Sequence, residues 1–257
     1  MGQTVVLTGM VLSAAPIGEF DKRITLLTKE RGKVTAFARG ARRQNSQLLT
    51  AASPFSFGTF EAYEGRSSYT VVQAHISNFF QNLTSNLDGV YYGFYFLEIA
   101  NYYAQENNDE KQMLNLLYLS LRALEKANLD NRLIRCIYEL KTMVNNGEYP
   151  NVFSCQMCKK EHHLVGFHVT RGGTLCESCM NQIGTIPIDG STLYTLQYIV
   201  SSAIGKLYTF EVAEPVLYSL EKIMKEYMAI YAGKKFRSLQ ILKEVLQENE
   251  DFCKDSG

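Results

Sequence analysis

The sequence predicts a multidomain α+β protein in which an N-terminal five-stranded β-barrel of the OB type precedes an all-helical domain with an inserted four-cysteine zinc module. Three observations lead to this fold class. Up to about residue 77, β-branched and aromatic residues are frequent and turn residues interrupt them. From Leu83 onward, apolar residues recur at spacings of three and four, which is the period of an amphipathic helix. Two Cys-x-x-Cys pairs then interrupt the helical part between Cys155 and Cys179.

The first part of the chain is predicted to contain five strands. Turn residues separate them, for example Pro16 and Gly18 after the first strand and Arg31-Gly32 after the second. Five strands within about 75 residues, with one longer connection after the third, match a small Greek-key barrel. A β-sandwich usually has about seven strands in about 100 residues. The predicted strands are residues 3–14, 22–29, 32–39, 53–64 and 67–76.

The second part of the chain is predicted to be helical around the cysteine insert. Its aromatic run over residues 91–103 lies within a helical pattern, so we expect core packing there instead of base stacking. The expected domains are residues 1–80 and 81–257, with the insert at about 152–182. The predicted helices are residues 86–105, 109–127, 130–146, 191–203, 213–232 and 238–249.

Bulk composition is typical of a globular protein, with 46% hydrophobic and 20% charged residues. No apolar run approaches the roughly 20 residues that cross a bilayer. The first apolar run, Val5 to Leu12, lacks a basic leader and is interpreted as a strand, not as a signal peptide. Two cysteines, Cys136 and Cys253, stand alone, and a disulfide framework is not expected in a chain of this size. We therefore expect a cytoplasmic protein without a membrane partner.

Charge is distributed unevenly along the chain, although the formal net charge is zero. Residues 1–80 contain nine Lys and Arg residues against five acidic residues. The remainder of the chain is correspondingly acidic. A basic barrel predicts an anionic partner for the first domain.

The cysteine pairs predict a structural metal centre. Cys155, Cys158, Cys176 and Cys179 are placed with 17 residues between the two pairs, inside the spacing typical of zinc sites. Four thiolates complete a tetrahedral zinc shell, whereas a catalytic zinc keeps one position open for water. The turn Gly172-Gly173 is expected to deliver Cys176 to the ion. The three nearby histidines are expected to be exposed loop residues: His162, His163 and His168.

An enzyme has little support in the sequence. Neither a phosphate-binding Gly-x-x-x-x-Gly-Lys loop nor a Gly-x-Ser-x-Gly turn occurs, and the four histidines form no evident catalytic set. A zinc-dependent enzyme acting on nucleic acid would need an open coordination position. We expect no catalytic residues and no small-molecule substrate.

The third predicted strand suggests a nucleic-acid interface. Alternation places Lys33, Thr35, Phe37 and Arg39 on one face, and Val34, Ala36 and Ala38 on the other. An aromatic ring between cations suits a single strand, because a base stacks on the ring while cations meet phosphates. The loop that follows adds Arg42 and Arg43, which can fork to phosphate oxygens. Phe37 packing against a helix, or a barrel that docks a partner protein instead of DNA, remains open from the pattern alone.

Several segments together resemble the bacterial RecO family of DNA repair and recombination mediators. They are GEFDKRITLLTKERGKVTAFARGARRQNS (18–46), YEGRS (63–67), YYGFYFLEIANYY (91–103), the CQMC and GGTLCESC pairs, and KKFRSLQIL (234–242). The resemblance implies an OB barrel, a helical domain with a zinc-ribbon-like insert, and no catalytic turnover. It implies binding to single- and double-stranded DNA, annealing of complementary strands and association with the nucleoid. It also implies that the protein acts with RecR to load the RecA recombinase onto DNA coated by single-strand-binding protein.

The resemblance also implies particular contact residues. Carried over by position, the DNA-contact candidates are Lys22, Arg23, Lys33, Arg39, Arg42, Arg43 and Arg66. The alternation of the third predicted strand adds Phe37 to this set. The helical domain is expected to take the acidic C-terminal tail of single-strand-binding protein. The candidates for that contact are Lys234, Lys235, Phe236 and Arg237, although a solvated turn between helices explains them equally well.

Overall fold

A computed structural model describes residues 3–85, 87–126 and 128–255, and the side chains of these residues except at 84 and from 247 onward. The chain forms two compact units. The first unit comprises residues 1–125 and 236–257, and the second comprises residues 126–235. The last helix therefore returns to the unit that contains the first strand.

The N-terminal strands form a closed barrel, as predicted. Around the barrel the order is β1-β2-β3-β5-β4, and only β3 and β5 are parallel neighbours. This arrangement confirms the five-stranded barrel of the predicted fold class. The strands are β1 (Thr4–Ile17), β2 (Asp21–Thr28), β3 (Gly32–Ala38), β4 (Phe57–Glu64) and β5 (Tyr69–Asn78).

The barrel interior is built by alternation along each strand. Val34, Ala36 and Ala38 of β3 are buried, while the residues between them are partly exposed. The long connection after β3 contains a short helix, α1 (Leu48–Ala51), which the periodicity did not predict. Leu48 joins the buried cluster inside the barrel, so this connection closes one part of the interior.

The helices follow the predicted segments closely. Two predicted end residues, Asn86 and Ala127, lie outside the described residues. Among the described residues, no helix is long and apolar enough to cross a membrane. The remaining helices are α2 (Gln81–Thr84), α3 (Leu87–Tyr103), α4 (Lys111–Leu124), α5 (Asn131–Asn145), α6 (Gly190–Ser201), α7 (Glu214–Tyr231) and α8 (Arg237–Asp255).

Within the first unit, α3 is the central helix. Its rings at Tyr92, Tyr95 and Phe96 are buried, as expected for core packing, whereas Phe94 and Tyr102 of the same run are 42% and 43% exposed. Helix α8 packs along α3, with Phe236 just before α8 contacting the rings of Tyr95 and Tyr102 at centroid distances of 5.7 Å each.

Within the second unit, a small antiparallel sheet lies between α5 and α6 in the sequence. Its strands are β6 (Leu164–His168), β7 (Gly173–Cys176) and β8 (Thr185–Pro187), in the order β7-β6-β8. Strands β6 and β7 lie within the predicted cysteine insert at about 152–182, whereas β8 lies just beyond its predicted end.

Candidate metal centre and nucleic-acid interface

The four paired cysteines meet at one point of the second unit. The sulfur atoms of Cys155, Cys158, Cys176 and Cys179 all lie within 4.8 Å of one another. Sulfurs bound at ~2.3 Å to one tetrahedral ion lie about 3.8 Å apart, so this spacing fits a shared ion. The four cysteines could therefore hold a metal ion, and they are the only such group of His, Cys, Asp or Glu within the described part of the chain.

The first pair is shaped by a tight backbone turn. The Cys155 N–H donates to the Lys160 carbonyl at 2.8 Å, and the Lys159 N–H donates to the Cys155 carbonyl at 3.0 Å. Lys159 takes a left-handed conformation, with φ of 64°. The turn brings Cys158 back toward the second pair, where its sulfur lies 3.5 Å from that of Cys176.

The second pair is positioned by the glycine turn. Gly172 has φ of 68°, as the sequence predicted for this turn. Gly173 is required for a different reason: a Cβ there would lie 2.2 Å from the Asn151 carbonyl oxygen. Asn151 forms a β-bridge with Gly173, and β7 then ends at Cys176.

The thiols differ in how readily they ionise. Burial acts to raise the pKa of Cys155, but the backbone N–H groups of Cys158, Cys176 and Met157 outweigh it and lower the pKa to about 6. Hydrogen bonds with the side chains of Cys158 and Cys176 raise the pKa of Cys179 to about 12. Four thiolates in so small a volume repel one another, and a divalent cation offsets that repulsion. The donor set thus fits a soft metal ion.

The three histidines near the centre are not alike. His162 and His163 are exposed, as predicted. His168 was expected to be an exposed loop residue, and this prediction is wrong. It ends β6, is only 9% exposed, and its Nδ1 lies 3.2 Å from the Thr170 hydroxyl. The reason is that β6 is the central strand of its sheet, with neighbours on both sides.

Two of the predicted DNA-contact lysines are engaged inside the first unit. The ammonium group of Lys22 donates to the carbonyls of Leu49 and Ala52, at 3.0 Å each, around the end of α1. Burial, together with the charge of Arg42, lowers the pKa of Lys22. The ammonium group of Lys33 donates to the Asn101 carbonyl of α3 at 2.7 Å. Both lysines therefore have structural partners at helix ends.

The loop after β3 presents its arginines at the surface. Arg39, Arg42 and Arg43 are all exposed. The Arg42 guanidinium donates to the Glu19 carbonyl at 3.1 Å, and that of Arg43 lies 5.1 Å from the centre of the Phe20 ring. These contacts orient the two side chains and leave the loop basic. Arg66 is exposed in a different turn, between β4 and β5.

The strand register places one row of side chains across the outer face of the barrel. Arg23 pairs with Phe37, Phe37 with Thr70, and Thr70 with Tyr63. Paired residues point to the same face of a sheet. Tyr63 is 50% exposed, and the sequence did not suggest it as a site residue. Its place beside Thr70 depends on the pairing of β4 with β5, although the alternation within YEGRS could have marked it as outward.

Residues 234–237, the predicted contact for the tail of single-strand-binding protein, differ in how exposed they are. Lys234 and Lys235 are exposed in the second unit. Phe236 and Arg237 belong to the first unit, where Phe236 is only 4% exposed and Arg237 is exposed. The ring of Phe236 is thus part of a core, and the surface chemistry of this segment is cationic.

Comparisons with known proteins cover nearly the whole chain. Family models described as the N-terminal and C-terminal parts of recombination protein O match residues 1–80 and 84–240. A relative from Alkaliphilus metalliredigens, named DNA repair protein RecO, is 30% identical over 92% of this chain and 98% of its own length. Relatives of the same name from Acetivibrio thermocellus and Bacillus pumilus are 30% and 25% identical, each over 92% of this chain and over 95% and 93% of their own lengths.

Fold and site define a multidomain protein in which an OB-type barrel with a basic outer loop is joined to helices and a four-cysteine centre. The chain belongs to the RecO family. This confirms the resemblance that the 18–46 block and the cysteine pairs carried in the sequence. The names of its relatives support a role in DNA repair for the family.

Proposed function

We propose that this chain is a non-catalytic recombination mediator of DNA repair. It binds single- and double-stranded DNA on its barrel and anneals complementary strands. With RecR it helps to load RecA onto DNA coated by single-strand-binding protein, in the cytoplasm. Family membership supports the repair role.

The observation that carries the proposal is the exposed basic loop beside an aromatic strand face. Arg39, Arg42 and Arg43 project from one loop, and Phe37 lies next to Arg23 on the adjoining wall. Such a surface offers phosphates several forked contacts and offers a base one ring to stack on. Lys22 and Lys33 are partly buried and donate to carbonyls, whereas all five arginines of the set are exposed. We therefore assign the direct DNA contacts to Arg23, Phe37, Arg39, Arg42, Arg43 and Arg66.

The test is the fluorescence anisotropy of a labelled single strand at two salt concentrations. The variant Arg39→Ala/Arg42→Ala/Arg43→Ala is expected to bind more weakly and with a shallower salt dependence, since each lost phosphate contact removes about 0.7 from the slope of log K against log salt. The control Lys206→Ala/Lys222→Ala/Lys225→Ala removes the same charge from exposed positions of the second unit. Equal affinities of wild type and arginine variant would refute DNA binding through this loop.

We infer that the metal held by the four cysteines is Zn²⁺ and that it stabilises the fold of its module. The support is a set of four thiols, which is enough to complete a tetrahedral shell, as in structural zinc sites. Elemental analysis of the purified protein tests this, with about one zinc per chain as the expected result. A different metal, or none, would refute it.

A second candidate function is a protein-binding adaptor in which the barrel docks a partner protein instead of DNA. Val6 and Val72 favour it, because they are 56% and 50% exposed on the two strands that flank β4. Binding to RecR without DNA, weakened by Val6→Ser/Val72→Ser but not by the arginine variant, would support this function.

We also propose that the exposed cations Lys234, Lys235 and Arg237 bind the acidic tail of single-strand-binding protein.

A further inference from the structure

The outer wall of the barrel carries two aromatic rings in one row. Phe37 on β3 and Tyr63 on β4 both pair with Thr70 on β5, so the two rings flank one small residue. Neighbouring strands are about 4.8 Å apart, which places the two backbone positions roughly 10 Å from each other. Their sequence neighbours Ala36, Ala38 and Ala62 are fully buried, so the two rings point away from the interior.

Both rings are accessible where they stand. Tyr63 is 50% exposed and Phe37 is partly exposed. The aromatic contacts found within the described ranges involve neither ring. A packing role would instead cover the rings, as it covers Phe60 on the inner side of β4, which is 1% exposed.

Cations stand at both ends of this row. Arg23 pairs directly with Phe37, and Arg66 lies in the turn that follows Tyr63. The acid next to Tyr63 in the sequence, Glu64, lies 3.6 Å from the guanidinium of Arg31 and accepts a hydrogen bond from Tyr69. A cation and a hydroxyl donor thus face this carboxylate. The row therefore consists of a cation, an aromatic ring, a threonine and a second aromatic ring. A second cation lies in the turn that follows.

We propose that Phe37 and Tyr63 form a two-ring platform on which unpaired bases stack, and that this platform makes the barrel prefer an unpaired strand over a duplex. The inference rests on the proposed function, because it takes the outer wall of the barrel as the DNA site. Duplex bases are stacked at 3.4 Å per step and closed within the helix, so their faces do not reach protein rings. Bases of a single strand can separate and take both rings.

The experiment compares three ligands of equal phosphate number per strand: a thymidine strand, the same strand with abasic deoxyribose units, and a duplex. Tyr63→Val and Phe37→Val are each expected to weaken binding of the thymidine strand about fivefold or more. Their affinity for the abasic strand and the duplex should stay within about twofold of wild type, because the phosphate contacts remain. Valine suits a strand position, and Tyr63→Phe keeps the ring and serves as the matched control.

The outcomes separate the platform from the function on which it rests. If the valine variants weaken all three ligands alike, or none of them, the platform is refuted. Wild-type protein that binds the abasic strand as tightly as the thymidine strand refutes it as well, even if a valine variant fails to fold. The variant Arg39→Ala/Arg42→Ala/Arg43→Ala tests the function itself. If this variant loses DNA binding while the wild type binds the abasic and thymidine strands equally well, only the platform is wrong.

Discussion

At the scale of single residues, the candidate metal centre depends on Gly173, which is not a ligand but allows two backbone segments to approach closely. Gly173 lies against the Asn151 carbonyl, and the bridge between them sets where β7 runs toward Cys176. A Cβ at 2.2 Å from that oxygen forces the two segments apart, since backbone cannot move aside like a flexible side chain. The close approach of the chain to Gly173 is thus part of the geometry of the candidate metal site.

We therefore expect Gly173→Ala to weaken metal retention, because it displaces β7 and with it one ligand pair. Dialysis against a chelator, followed by metal analysis, should show faster loss than in wild type. Gly190→Ala is the matched control, because a Cβ at Gly190 meets no atom within 4 Å. Equal retention in both variants would contradict the assigned role of Gly173.

Alternation along a strand predicts which face a side chain takes, but it does not predict hydrogen-bond partners that lie far away in the sequence. Phe37 is partly exposed and Arg39 is exposed, as the alternation of the predicted strand 32–39 indicated. Lys22 and Lys33 belong to the same basic block, but their ammonium groups bond to carbonyls 27 to 68 residues away. No local pattern specifies such partners, so the sequence alone does not tell whether a lysine of this block contacts a ligand or caps a helix.

At the scale of elements, helix starts in the second unit are fixed by charged side chains. Asp130 precedes α5 and accepts a hydrogen bond from the Arg132 N–H at 2.8 Å. The Arg132 guanidinium also bonds to Glu214, the first residue of α7, at 2.8 Å. One arginine thus links the starts of both helices.

Substitutions of Asp130 distinguish the contribution of its capping hydrogen bond from that of its negative charge. Burial acts to raise the pKa of Asp130, but hydrogen bonds from Arg132 outweigh it and lower the pKa. Asp130→Ala should cost roughly 1 kcal/mol of stability at neutral pH, whereas Asp130→Asn keeps a capping oxygen and should cost less. Urea unfolding measures both.

Because the folded-state pKa of Asp130 is lowered, its charge stabilises the protein above the unfolded pKa of about 3.9. That contribution is lost as pH falls through the folded value. The stability gap between wild type and Asp130→Asn should therefore close in acid. A gap that persists at the lowest pH would argue against the charge contribution.

The sequence predicted the long elements well and the short ones poorly. Helices α3 to α8 and all five barrel strands follow from periodicity, which long segments express clearly. Helix α1 has four residues and β8 has three, so each spans less than two periods, too few repeats for periodicity to reveal it. Their positions are set by tertiary contacts, such as Leu48 entering the barrel core.

At the scale of the whole molecule, chain order and spatial grouping differ. Helix α8 is the last element, yet it belongs to the unit that holds the barrel. Periodicity identifies α8 as a helix but not its partner α3, which precedes it by more than 130 residues. The compact units follow contacts, whereas domains are defined by independent folding, so the expected limits 1–80 and 81–257 stay a prediction.

Because α8 belongs to the first unit, its removal is expected to destabilise that unit and not the second. A chain that ends after Lys235 loses Phe236 and Leu242, both buried, and Glu98 of α3 loses the Ser238 N–H that donates to it at 2.9 Å. Each buried apolar side chain contributes about 1.5–3 kcal/mol. Hydrogen exchange should accelerate across residues 4–124 and stay unchanged across residues 131–231. A chain that ends after Leu246 keeps these contacts and serves as the control. If the chain that ends after Lys235 showed faster exchange only across residues 131–231, the assignment of α8 to the first unit would be contradicted.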